Sequence, residues 1–179
     1  AFTQALKLKP DSAAAHYNTG NAHFRLGRYP AAVESYLQAI NLKVDFVDAH
    51  VALGIAYGNL GRVSDAIASY RCALRIEPNR AEVHHHLANI LMQNGRFHEA
   101  IDSYKRILTL LPNDAAAHFH LGTAQHAIEQ YDEALLSFRK AIGIQPDYAE
   151  AHSSLGELLH AVGRLDDAVV SFQRALALR

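Results

Sequence analysis

A single cysteine, Cys72, stands in a chain of 179 residues. No internal disulfide can form, so nothing asks for an oxidising compartment, and a cytoplasmic setting is the expectation. Tryptophan is absent and neither sign of charge is in surplus, with 17 basic and 18 acidic side chains. Such a balance offers no electrostatic footprint to nucleic acid or to an anionic membrane, so neither is expected as a partner. No apolar run approaches the ~20 residues that span a bilayer. The opening AFTQALKLKP reads as part of an amphipathic pattern, not as a signal segment. Also missing are G-x-S-x-G, a Walker A motif and G-x-G-x-x-G. Carboxylates are scattered along the chain, and Cys72 has no histidine placed to activate it. The expectation is a chain without catalytic residues, cofactor or enzymatic activity. What it has in excess is histidine, 12 residues against 5 lysines, three of them consecutive in VHHHLANIL at 83–91.

The chain repeats itself. Gly20, Gly54, Ala88, Gly122 and Gly156 follow one another at steps of 34 residues. The same step carries His16, His50, His84, His118 and His152, then Ala32, Ala66, Ala100, Ala134 and Ala168. It also carries Tyr36, Tyr70, Tyr104, Phe138 and Phe172. Pro10, Pro78, Pro112 and Pro146 share a phase in which Val44 is the exception. Each unit reads as two helices: in residues 81–114, AEVHHHLANILMQN is the first, GR a turn, and FHEAIDSYKRILTL the second. Asp11, Asp45, Asn79, Asn113 and Asp147 are expected to cap the first helices. Gly27, Gly61, Gly95 and Gly163 suit a left-handed residue where those helices end. Pro30 fits the first turn of a second helix, where acidic residues such as Asp65, Glu99 and Asp167 also complement the helix dipole.

This pattern resembles the tetratricopeptide repeat (TPR) family, whose 34-residue signature is W-x2-L-G-x2-Y…A-x3-F…P. The second unit matches as His50-x2-Leu53-Gly54-x2-Tyr57, Ala66-x3-Tyr70 and Pro78. The resemblance implies an all-α, right-handed α-solenoid of helix–turn–helix repeats. On this reading residues 1–12 end a preceding, truncated repeat. Five repeats follow at 13–46, 47–80, 81–114, 115–148 and 149–179, in one continuous superhelical domain.

On a helical wheel the first helices divide into two arcs. One holds the histidine column with small apolar residues such as Ala49, Ala56, Ala117 and Ala151, and is the packing side. The column histidines are expected to pack, each with one satisfied ring N–H. The opposite arc varies from unit to unit. It contributes Tyr17, Asn18, Asn21 and Phe24, then Val51 and Ile55, then His85, His86, Asn89 and Met92. Phe119, His120, Thr123 and His126 follow, and last Glu157 and His160. In the family this chain resembles, the first helices line a concave wall, so these sixteen residues are the candidate peptide-binding groove. No two histidines have the i, i+3 or i, i+4 spacing of a helical metal site, and no metal is expected.

A solenoid with a variable inner wall implies a protein-interaction scaffold that holds an extended or helical peptide segment of a protein partner. Of the basic residues only Arg25 falls on the groove, which argues against acidic C-terminal tails as ligands. Stretches such as AEAHSSLGELLHAVGRLDDAVVSFQRAL are similar to the superhelical repeats of O-linked N-acetylglucosamine transferases and their bacterial relatives. There the repeats recruit substrates to a separate catalytic domain. Those repeats keep asparagine at the sixth position, and here Asn18 does so while Ala52, His86, His120 and Ser154 depart. Helical residues at both ends suggest a fragment of a longer array. Leu6 and Leu8 at one end and Leu176 and Leu178 at the other give end-to-end self-association as a further expectation.

Overall fold

The computed structural model describes residues 12–178. Among these there are ten helices and no strand. They are α1 (Ala13–Arg25), α2 (Tyr29–Leu42), α3 (Val47–Asn59), α4 (Val63–Ile76), α5 (Ala81–Gln93), α6 (Phe97–Leu110), α7 (Ala115–Ala127), α8 (Tyr131–Ile144), α9 (Ala149–Ala161) and α10 (Leu165–Ala177). Among the described residues no helix is long and apolar enough to cross a membrane. The chain divides into two compact units, the first ending at Ile90 and the second starting at Leu91.

Every first helix ends the same way. Leu26, Leu60 and Val162 close three of them, and the next residue is left-handed: Gly27, Gly61, Gly95 and Gly163 have φ of 70°, 69°, 69° and 79°. The N–H two places past the cap then reaches back five residues, as in Arg28 to the His23 carbonyl and Arg62 to Tyr57, both at 2.9 Å. These are Schellman ends. In the fourth repeat Glu129 takes the glycine's place at φ 61°, and Gln130 still bonds back to Gln125 at 2.9 Å.

The starts of the first helices differ from expectation by one residue. Ser12 caps α1, accepting from Ala15 N at 3.3 Å, and Asp114 caps α7, accepting from Ala117 N at 2.9 Å. The caps of α3 and α9 are Phe46 and Tyr148, with no side-chain bond. Asp45, Asn113 and Asp147 sit instead inside tight turns, closed by Phe46 N to Lys43 O, Asp114 N to Leu111 O and Tyr148 N to Gln145 O. A proline-then-Asx pair suits the two central positions of such a turn. Asn79 occupies the same turn position, and Asp11 lies outside the described residues.

The histidine column holds those turns against the helices. Nε2 of His50, His84, His118 and His152 lies 2.9, 2.9, 3.0 and 3.1 Å from the carbonyl oxygen six residues back, at Val44, Pro78, Pro112 and Pro146. A carbonyl only accepts, so Nε2 donates. Val44 serves where proline is lacking because the bond uses only its carbonyl.

In the first unit α1 pairs with α2 and α3 with α4, while α2 also packs on α3 and α1 touches α3. In the second, α7 pairs with α8 and α9 with α10, and α7 touches α9. The rings on the second helices fill the space between partners. Tyr36, Tyr70, Tyr104 and Phe138 are buried, each contributing about 1.5–3 kcal/mol of apolar burial. They press on the glycine column so closely that a Cβ on Gly54 would meet Tyr70 at 2.5 Å, and one on Gly122 would meet Phe138 at 2.8 Å. Burial pushes the phenols of Tyr36, Tyr70 and Tyr104 up from 10.0 to about 12, helped at Tyr36 by the neighbouring Tyr17.

Candidate binding surface

In the first unit α1 and α3 lie side by side and offer their variable arcs to one open hollow of about 220 Å³. Tyr17, Asn21 and Phe24 recur at three- and four-residue steps along α1, and Val51 and Ile55 four apart on α3, so each set shares a face. These five sequence-predicted residues line the hollow together with Tyr36, Asp48, Ala52, Arg80 and Glu82. Val51 is buried and forms its floor, while Tyr17, Asn21, Phe24 and Ile55 are half-buried.

The polar groups of the hollow are fixed by their neighbours. The Tyr36 hydroxyl donates to Asn21 Oδ1 at 2.9 Å, leaving the Asn21 Nδ2 hydrogens as donors. Arg80, at the turn before α5, places Nη2 2.7 Å from Asp48 Oδ1 and 3.9 Å from Glu82 Oε2, with Nη1 3.4 Å from Glu77 Oε2. The hydrogen bond to Asp48 raises the guanidinium pKa further. One cation among three carboxylates leaves the rim acidic. Arg80 itself was not legible on a wheel of the first helices, because it precedes the helix. Asp48 and Glu82 lie at the second position of the variable arc, a signal present in the sequence though outside the sixteen.

The aromatic members of the arc do more than face outward. Tyr17 packs on Phe46 with centroids 5.0 Å apart and planes at 46°. In the second unit Phe119 repeats that geometry on Tyr148, at 5.0 Å and 46°. Each therefore braces the cap of the next first helix. His86 stacks on Tyr70 at 5.7 Å and 12°, and its Nε2 lies 3.7 Å from Glu82 Oε1. His120 stacks likewise on Tyr104 at 5.7 Å and 21°, and His126 meets Tyr131 edge-on at 5.8 Å.

The remaining predicted residues are dispersed. Asn18 is exposed and, with Asn21 and Arg25, borders a second, open hollow of about 430 Å³ on α1. His85 is half-buried and Asn89 exposed on α5. In the second unit Met92 is half-buried, and the Thr123 hydroxyl is spent on the Phe119 carbonyl at 3.1 Å. Glu157 is exposed and accepts from Ser153 at 3.4 Å, and His160 is exposed. Cys72 is half-buried on α4. Among the described residues no three His, Cys, Asp or Glu side chains come together to hold a metal. Leu176 is 68 % exposed on α10 and Leu178 half-buried, while Leu6 and Leu8 lie outside the described residues.

Comparison with known proteins agrees with the helical phase. A TPR-repeat model matches residues 1–27 and 20–61, one tetratricopeptide-repeat model 51–115 and 85–149, and another 126–178. No curated protein matches. Among solved structures, one of MamA is 26% identical over 89% of this chain and 93% of its own, with a TM-score of 0.84. MamA from Desulfovibrio magneticus RS-1 is 21% identical over 93% of this chain and 94% of its own, at 0.86. YrrB, described as a TPR protein with an unusual peptide-binding site, is 22% identical over 100% of this chain and 92% of its own, at 0.88. With repeat models that between them match residues 1–178, the chain belongs to the tetratricopeptide repeat family.

Proposed function

We propose that this chain is a protein-interaction scaffold, and that the first-helix face of its first unit seats a peptide segment of a protein partner. The hollow between α1 and α3 carries the reading. It combines an apolar floor (Val51, Ile55, Phe24) with a fixed amide donor at Asn21 and a charged rim, the mixture by which a peptide is anchored and oriented. Its volume of about 220 Å³ suits one large apolar side chain. The exposed Asn18 extends the supply of backbone-binding amides along α1.

The test uses a substitution that the repeats themselves license. Ile55 occupies the ninth position of its helix, where the last repeat carries Glu157. Ile55→Glu should therefore leave helicity and melting nearly unchanged while introducing charge to the hollow. Peptides selected from a random display library on the unaltered chain should bind this variant at least about tenfold more weakly, a loss of ~1.4 kcal/mol. Selected peptides that bind both proteins equally would defeat the proposal.

Self-association is a second reading, favoured by the exposed Val169, Val170 and Leu176 on α10 at 53, 65 and 68 %. A concentration-independent monomer in sedimentation would count against it. In a glycosyltransferase the first-helix face would recruit substrates for catalysis elsewhere, with Asn18 as the retained sixth-position amide.

A further inference from the structure

The second-helix side of the second unit carries a feature unrelated to the hollow. Between α6 and α8 runs a trough of about 650 Å³, floored by Leu121 of α7 and walled by Leu108, Leu136 and Ile144, with Lys105 and Lys140 on its two edges. Leu136 is 59 % exposed and Ile144 39 %. Packing does not explain Leu136. The equivalent residue of the preceding repeat is Asp102 and of the first repeat Glu34, so the position tolerates charge. An exposed leucine there marks a surface that gains from being covered. Neither lysine is engaged in an ion pair among the described residues, and the nearest acid along α6, Asp102, is exposed at i−3 from Lys105.

The shape of the trough selects its occupant. Lys105, Leu108, Thr109 and Pro112 form one ridge, and Leu136, Lys140 and Ile144 the other. The second ridge rises roughly 12 Å over eight residues, two helical turns. Ridges at three- and four-residue spacing receive the side chains of another helix. We propose that this trough is a second docking surface, whose occupant is an amphipathic helix of a partner protein with Asp or Glu flanking its apolar stripe. The stripe would cover Leu136, Leu108 and Ile144, and the carboxylates would meet Lys105 and Lys140.

Fluorescence anisotropy on the whole chain decides it, with two labelled peptides of roughly 16 residues, about four turns. Both carry leucine at helical spacing, one with flanking glutamates and the other with lysines. The Leu/Glu peptide should bind saturably and the Leu/Lys peptide at least about tenfold more weakly. Leu136→Asp inherits the residue of the preceding repeat, so it keeps the fold, and it should weaken the Leu/Glu peptide by about tenfold. The double variant Lys105→Glu with Lys140→Glu should reverse the preference between the peptides, and Ile55→Glu should leave it intact. Absence of saturable binding by the Leu/Glu peptide, equal binding of both peptides, or binding unaltered by Leu136→Asp and by the lysine reversal would each overturn the proposal.

Discussion

At the residue scale, the repeat supplies its own controls. Glu129 adopts the left-handed conformation that Gly27, Gly61, Gly95 and Gly163 adopt at the equivalent position, and for an L side chain that costs about 1–2 kcal/mol. Part of this is offset because glycine loosens the unfolded chain. Glu129→Gly should therefore raise stability by about 0.5–1 kcal/mol, read as a higher denaturant midpoint with an unchanged slope. Gly61→Ala, with no neighbour for its Cβ to strike, should lower stability by about 1 kcal/mol from backbone strain alone. An unchanged midpoint in either variant would show that the Schellman end is not under this constraint.

At the scale of elements, the histidine column ties each turn to the helix that follows it. Replacing His118, buried and bonded to the Pro112 carbonyl at 3.0 Å, with phenylalanine preserves most of the ring but removes the donor. The expected loss is about 1–2 kcal/mol, together with faster amide exchange at the Leu111–Asp114 turn. Helix number, phase and ends were legible in the sequence because a 34-residue period shows the same decision five times. The capping residues were not, because Asx after proline serves the turn, and the capping role passes to whatever follows: Ser12 and Asp114 can fill it, Phe46 and Tyr148 cannot. The site was legible in part for a related reason. A wheel places Tyr17, Asn21, Phe24, Val51 and Ile55 on one face, but it holds no account of contacts between successive repeats. Those contacts turn Tyr17 onto Phe46 and Phe119 onto Tyr148, and they bring Arg80 from a turn to the rim.

At the scale of the whole molecule, stability is spread over many similar interfaces between neighbouring helices, and the rings of Tyr36, Tyr70 and Tyr104 make three of them pH-dependent. Their phenols ionise at about 12 when folded and near 10.0 when unfolded. Between these values the folded chain holds more protons than the unfolded one, so stability is complete below pH 10 and falls as pH rises toward 12. The melting temperature should decline over that window, and Tyr70→Phe should flatten the decline. A melting temperature constant across it would mean that the rings are not buried as described.

The central claim is that the hollow between α1 and α3 seats a peptide. Titrating a display-selected peptide into isotopically labelled protein and following backbone amide shifts tests it most directly. The account predicts saturating shifts clustered at Asn21, Phe24, Ala52, Ile55 and Arg80. Shifts confined to the second helices, with those five residues unmoved, would contradict it.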